Sequence, residues 1–231
     1  MLDTRKWSDL DVDLIEVYQL LHNHYGPQHW WPGEGPFETI VGAILTQNTA
    51  WHNAECALAN LKEADALRPD RIRNLTNDEL ATLIKPSRYF NAKAKKLKAF
   101  VEVLGQRHQD DLEHFFSQEL DTLRQELLSI YGIGPETADD IILYAAQKPS
   151  FVIDTYTKRV IARLTANFRK QSYTDLQRFF HENLPNNVSL YNEYHALLDH
   201  HAKVQCQKKP SCIECCLLKL CRTGLETPPP P

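Results

Sequence analysis

The sequence predicts an all-α protein. Glycine is scarce, at 8 of 231 residues. Apolar residues recur at helical spacing along most of the chain, and no strand-like alternation exceeds about five residues. At 42% hydrophobic and 24% charged, the composition is that of a soluble globular protein with chain enough for one large core or two smaller ones. Collagen-like, rod-like and wholly disordered chains are excluded. No apolar run approaches the roughly 20 residues of a membrane helix, and the opening MLDTRKWSDLDVDLIEVY is polar where a signal peptide needs an apolar core. The expectation is a cytoplasmic protein without a membrane partner.

The elements follow in order. Asp11–His22 sets Leu14, Val17, Leu20 and Leu21 on one helix face. Gly26–Pro36 is a turn-rich loop carrying Trp30 and Trp31. A helix over Phe37–Leu45 breaks at Thr46-Gln47-Asn48-Thr49 and resumes over Ala50–Leu61. Further helices are expected over Asn77–Ile84, Ala92–Arg107, Leu112–Phe116 and Asp121–Tyr131, with N-cap or acidic first-turn signals such as Thr76-Asn77-Asp78-Glu79. Ser150–Ile153 could be a strand, but nothing nearby pairs with it. The tail, 226–231, ends in prolines and is expected to be disordered.

Charge is divided unevenly. Up to residue 150, 15 Lys and Arg stand against 23 Asp and Glu; beyond it the counts are 11 and 7. A net charge of −4 argues weakly against a polyanionic partner, but a basic C-terminal part can still hold one, because screening makes local charge decisive.

Three constellations carry chemistry. In SIYGIGPETADDIILY (129–144), an apolar helix ends at Tyr131, Gly132-Ile133-Gly134 make a tight hairpin, and Pro135 opens the next helix. The two glycines are expected to supply the turn's backbone angles and to leave amides uncovered. With the following helix dipole, those amides suit a phosphate. Such a helix–hairpin–helix grips one DNA strand without reading sequence, although a GxG turn also joins any two packed helices.

The second is FVIDTYTKR (151–159). Asp154 follows three apolar residues and precedes a helix, so burial raises its basicity while the helix N-terminus favours its charge. A carboxylate so placed can stabilise an oxocarbenium-like sugar or activate water. Asp before Thr is equally a common N-cap.

The third is cysteine. Five of six fall between 206 and 221, and Cys56 stands alone. Cys206-x5-Cys212-x2-Cys215-x5-Cys221 can bring four thiolates to one iron–sulfur cluster or one zinc ion. Cys216 is spare, and Cys216-x4-Cys221 is a rival assignment.

The hairpin, the Asp after it and the C-terminal cysteine loop, in this order, resemble the endonuclease III-type DNA glycosylases of the helix–hairpin–helix superfamily. The likeness runs from about Phe37 to Cys221. Leu45-Thr46-Gln47-Asn48-Thr49 resembles the family loop whose Gln enters the duplex, and Asn91-Ala92-Lys93-Ala94-Lys95 its N-x-K-A helix start. The resemblance implies two lobes with DNA bound across the groove between them. A six-helix barrel over 37–149 would end in the hairpin, and a lobe from 1–36 and 150–225 would carry a [4Fe–4S] cluster on Cys206, Cys212, Cys215 and Cys221. It implies that Gly132, Ile133, Gly134, Glu136 and Thr137 touch DNA, with Gln47 and Asn48. It also lifts Asp154 from cap to catalytic residue.

Trp30-Trp31-Pro32, Phe37-Glu38, Gly42 to Thr49 and Trp51 resemble the 3-methyladenine DNA glycosylase III branch, as does Gly134-x-Glu136-x-Ala138-Asp139. There aromatic residues sandwich the extruded purine, which assigns Trp30, Trp31, Pro32 and Trp51 to the base pocket. Two departures stand out. Bifunctional members carry a Lys where this chain has Glu136, and a carboxylate cannot form the imine that leads to strand cleavage. The first cysteine gap is five where the common pattern has six. The expected protein is a monomeric, monofunctional base-excision-repair glycosylase. Its partner is double-stranded DNA with a damaged base, and it acts at the nucleoid on alkylated purines such as 3-methyladenine. The alternatives are a glycosylase with AP lyase activity on oxidised pyrimidines and a non-enzymatic damage-binding protein.

Overall fold

The computed structural model describes residues 12–30, 33–165 and 171–226. Among them the chain is helical, with no strand. In order, the helices are α1 (Leu14–Tyr25), α2 (Pro36–Leu45), α3 (Trp51–Glu63), α4 (Pro69–Asn74) and α5 (Asn77–Leu83). A 3₁₀ turn at Lys85–Ser87 leads to α6 (Phe90–His108), α7 (Leu112–Phe116), α8 (Leu120–Ser129) and α9 (Pro135–Asp140). A π-helical turn, Ile141–Ala145, extends α9; then come α10 (Thr155–Leu164), α11 (Tyr173–Asn183), α12 (Val188–Val204) and α13 (Arg222–Glu226).

These elements divide into two compact units. One combines the N-terminal segment ending at Trp30 with the chain from Pro149 onward; the other lies between them, up to Lys148. The N-terminal segment changes unit before the expected junction at 36. Ahead of α2, Glu34 joins Glu38 in pairing with Lys62 of α3, at 3.1 and 2.9 Å. Glu226, the first residue of the expected disordered tail, instead closes α13; residues 227–231 lie outside the described ones.

The second unit is built on an apolar core to which α2, α3, α5, α6, α8 and the π-helical turn all contribute, including Ile40, Ile44, Leu61, Leu80, Phe100, Leu123 and Ile141. The capping signals act as the sequence implies. Thr76 and Glu79 form a reciprocal capping box at α5, and Asp111 caps α7. The N-terminal lysines of α6 serve as internal struts. Lys93 is fully buried, and its ammonium donates to Leu45 O at the end of α2 (2.7 Å) and to Ser87 O. Lys98 donates to Arg73 O (2.9 Å) and Leu75 O at the end of α4. Each puts a cation on the negative pole of another helix. Burial lowers the Lys93 ammonium to about 8.

α4 had no counterpart in the sequence reading. Pro69 at its first position and Asp70 in its first turn are proper start signals, but with only Ile72 buried it is too short to show periodicity. α8 stops at Ser129, two residues before the expected end, because Ile130 turns extended and Tyr131 points outward, 63% exposed.

In the first unit α12 runs through the middle, packed on α1 and α10. Leu14, Val17 and Leu21 of α1 are buried while Leu20 is only partly so, and Asp13 caps the helix. Ser150–Ile153 is fully buried but forms neither helix nor strand. Side chains satisfy its backbone instead. Phe151 N–H donates to His181 Nε2 (2.9 Å), Gln177 Nε2 donates to Phe151 O (2.9 Å), and Tyr173 Oη lies 3.4 Å from Ile153 N. All three come from α11, so this segment enters the core on a polar scaffold and delivers Asp154 at its end.

Candidate active site

The hairpin divides its two glycines between two jobs. Gly132 has φ +81°, and a Cβ there would run into the Lys96 stem, so glycine is required by the fold. Gly134 is extended (φ −95°, ψ 178°), and a Cβ there would meet nothing within 4 Å. The expectation that both glycines serve the turn angles is therefore corrected. Gly134 is dispensable to the turn, and what it provides is an uncovered backbone on an exposed surface. Ile133 is buried and anchors the tip, while Gly134, Pro135 and Glu136 are exposed. Behind the hairpin, Arg124 grips the buried Asp139 carboxylate with two bonds of 2.8 and 2.9 Å, tying α8 to α9.

Gln47 lies in the turn after α2, engaged with this hairpin. Its Nε2 donates to Gly132 O (3.1 Å) and to Thr137 Oγ1 (2.9 Å), and its Oε1 accepts from Lys96 Nζ (2.5 Å). Asn48 beside it is exposed and left-handed (φ 54°), a conformation Asn tolerates. Trp51, in the first turn of α3, packs half-buried against the core of this unit. Trp31 and Pro32 lie outside the described residues.

Asp154 is the N-cap of α10. Its Oδ1 accepts from Thr157 N at 2.6 Å, and the side chain is only 15% exposed. His195 Nε2 lies 3.9 Å from the same oxygen. His195 belongs to a stripe on α12 with Asp199 and Lys203, spaced four residues apart on one face. Lys203 pairs with Asp199 at 2.7 Å. Burial lowers the His195 imidazole, against Asp154 and Asp199, which raise it; burial likewise raises the Asp199 carboxyl, against Lys203. The Trp30 ring stands edge-on to His195, with centroids 6.0 Å apart. The unit thus gathers a capped carboxylate, a desolvated imidazole, a second buried carboxylate, an ammonium and an indole. Perturbed titratable groups concentrated around one carboxylate make this a candidate functional site. Asp154 and Trp30 were expected here. His195 and Asp199 were missed, although the i, i+4, i+8 spacing of His195, Asp199 and Lys203 was a usable signal.

The cysteine loop follows α12. Cys206, Cys212, Cys215 and Cys221 all line one cavity, together with Arg163, His201, Leu217 and Gly224, whereas Cys216 does not. Every cysteine is free of disulfide. Arg163 donates to Cys206 Sγ (3.1 Å) and Gly224 N to Cys221 Sγ (3.4 Å). Burial raises the Cys221 thiol, and the charges of Cys206, Cys215 and Cys212 raise it further. Cys215 is pushed up to about 12 by its hydrogen bond with Cys216 and by burial. The charge that three neighbouring thiols press on Cys221 is of a kind that a cationic centre would relieve. Among the described residues no three His, Cys, Asp or Glu side chains are gathered closely enough to hold a single metal ion. Nor is any described helix long and apolar enough to cross a membrane.

Comparison with known proteins matches this layout. Residues 41–186 match the family model described as HhH-GPD superfamily base excision DNA repair protein. A provisionally named DNA repair glycosylase of Methanocaldococcus jannaschii is 43% identical over 90% of this chain and 95% of its own. An endonuclease III of Sulfolobus acidocaldarius is 31% identical over 82% of this chain and 83% of its own. Among solved structures, the Helicobacter pylori 3-methyladenine DNA glycosylase bound to 1,N6-ethenoadenine superposes with a TM-score of 0.73. It is 29% identical, and the match covers 83% of this chain and 98% of the other. An endonuclease III–DNA complex shares the fold, with a TM-score of 0.77 at 20% identity over 92% and 95% of the two chains. With family match, relatives and fold in agreement, the chain belongs to the HhH-GPD superfamily of base excision DNA repair proteins, as a DNA glycosylase.

Proposed function

We propose that the protein is a monofunctional glycosylase that extrudes a damaged base from duplex DNA and hydrolyses its N-glycosidic bond. Alkylated purines such as 3-methyladenine are its substrates. The observation that carries this reading is the buried Asp154 carboxylate at the head of α10, with His195 and the Trp30 ring beside it. As the C1′–N bond breaks, its electron pair leaves with the base and positive charge grows on the sugar. Asp154 offsets that charge, and water then adds at C1′ and gives up its proton to the Asp154 carboxylate, which passes it to solvent. Both described contacts of Asp154 fall on Oδ1, which leaves Oδ2 to face the sugar. Trp30 would hold the base by its face, a contribution of roughly 1–3 kcal/mol.

The exposed Glu136 supports hydrolysis over lyase chemistry, since no amine stands there to attack the sugar. Incubated with alkylated genomic DNA, the protein is expected to release 3-methyladenine, identified by chromatography. It should leave the abasic strand uncut and give little covalent complex on borohydride trapping. Faster clearance of thymine glycol, with strong trapping, would establish the endonuclease III-type alternative instead.

The hairpin is read as the grip on the DNA backbone. Gly132→Ala is expected to destabilise the protein by about 1–2 kcal/mol, the cost of an L-residue in the left-handed region. Gly134→Val should leave the melting midpoint unchanged yet weaken binding to every duplex alike, because phosphate contacts carry no sequence information. A fall in melting midpoint for Gly134→Val, or a loss confined to some sequences, would contradict that assignment.

The same reading assigns a [4Fe–4S] cluster to Cys206, Cys212, Cys215 and Cys221. Four thiols around one cavity, with N–H donors on two sulfurs, fit such a group. A single zinc ion would need four sulfurs drawn in to about 2.3 Å of one point, and the thiols are not so gathered. When bound, the cluster supplies a cross-link for a loop with little core of its own.

A further inference from the structure

A buried histidine outside the Asp154 site joins the cysteine loop to the N-terminal helix. His201, in the last turn of α12, is 1% exposed. Its Nε2 lies 3.8 Å from Cys215 Sγ, and its Nδ1 lies 2.8 Å from the hydroxyl of Tyr25, the last residue of α1. The backbone is engaged as well, since His201 O accepts from Gln205 N (2.9 Å) and from Cys206 N (2.8 Å). One residue thus holds the loop by its backbone at Cys206 and by its side chain at Cys215. Tyr25 reaches it from 176 positions away in the chain, and its ring stands edge-on to His200, with centroids 4.8 Å apart.

The proton positions follow from what each atom can do. A cysteine that ligates a metal centre is a thiolate, an acceptor with no proton to give. Nε2 meets that sulfur favourably only as an N–H, and the thiolate's charge strengthens a long bond. The imidazole then keeps its lone pair at Nδ1, where the Tyr25 hydroxyl donates. Both neighbours select the same tautomer. The donors on Cys206 and Cys221 come from α10 and α13; the one on Cys215 is oriented by α1.

Hydrogen bonds to the sulfurs are among the factors that set the potential of an iron–sulfur cluster. An N–H aimed at a ligand sulfur stabilises the more negative, reduced form over the oxidised one, which raises the potential. We propose that His201, oriented by Tyr25, is the hydrogen-bond donor through which the N-terminal helix sets the reduction potential of the cluster. The proposal rests on the reading of Cys206, Cys212, Cys215 and Cys221 as the cluster ligands.

The test is film voltammetry on the full-length protein, with iron counted in every sample. The wild type is expected to carry about four irons per chain. His201→Leu should keep them and shift the equilibrium about tenfold toward the oxidised form, a fall in midpoint potential of about 59 mV for one electron. His201→Gln, whose amide N–H can reach the same sulfur, should stay near the wild-type potential. Tyr25→Phe removes only the hydroxyl and should lower the potential by less. The proposal is overturned if His201→Leu holds its iron at the wild-type potential. It is equally overturned if the Leu and Gln variants shift alike, because a mere spacer would not tell them apart. Should His201→Leu lose its iron, Tyr25→Phe decides. Four irons at a lowered potential there support the proposal, and four irons at the wild-type potential overturn it. Loss of iron from Tyr25→Phe too would make the pair a brace for the fold and overturn it as well. A wild type with one zinc or no metal would instead defeat the cluster assignment itself, and the proposal with it.

Discussion

Asp154→Asn is expected to lower single-turnover base excision by about 10²–10³-fold or more, the scale of losing one preorganised electrostatic partner of a transition state. The proposed mechanism gives this helix cap a second role, and the substitution separates the two. Asn is as good an N-cap as Asp, and its side-chain oxygen can take over the 2.6 Å bond from Thr157 N. Stability should therefore stay within about 0.5 kcal/mol, and affinity for duplex DNA should hold. What disappears is the negative charge facing the sugar. Asp154→Ala removes the cap as well and should cost about 1 kcal/mol of stability in addition. Near wild-type excision by Asp154→Asn would make the residue a helix cap and nothing more.

Cys212→Ala is expected to be the most damaging change to stability. The purified protein should be brown and carry about four irons per chain; the variant should lose them, and its chain after Cys206 should become open to protease. Between Cys206 and Cys221, Leu217 is the one fully buried apolar side chain, so in the proposed cluster site ligand bonds would do what a core does elsewhere. Structural metal sites contribute on the order of 10 kcal/mol in small domains. Cys216→Ala, at a thiol off the cavity, should retain the iron. Metal analysis that returns one zinc and no iron would overturn the assignment.

Much of this was legible in the sequence where the determinant is local. The caps of α5 and α7, the hairpin between α8 and α9 and the position of Asp154 follow from residue types within four positions of one another. The cysteine spacing shows which thiols can meet, but only the fold decides against Cys216. The buried run at 150–153 could not be resolved by pattern. Its apolar residues suit a strand, and its true partners, Tyr173, Gln177 and His181, are polar side chains 20 to 30 residues on. α12 was overlooked for a related reason. Nine of its residues are buried, polar ones among them, so its amphipathic stripe is blurred, and the stripe of His195, Asp199 and Lys203 gains meaning only once Asp154 is opposite.

The struts on α6 bear on how binding will respond to ionic strength. Read along the chain, Lys93, Lys95, Lys96 and Lys98 form a basic run of the kind that attracts a polyanion. Three of the four ammonium groups already sit on acceptors within the protein: Lys93 and Lys98 on helix-end carbonyls, Lys96 on Gln47. Each phosphate neutralised by a free cation steepens the fall of log affinity with log salt by about 0.9. A run whose charges are committed internally releases few counterions, so the salt slope of this protein will be set by other cations and will fall short of what its lysines suggest.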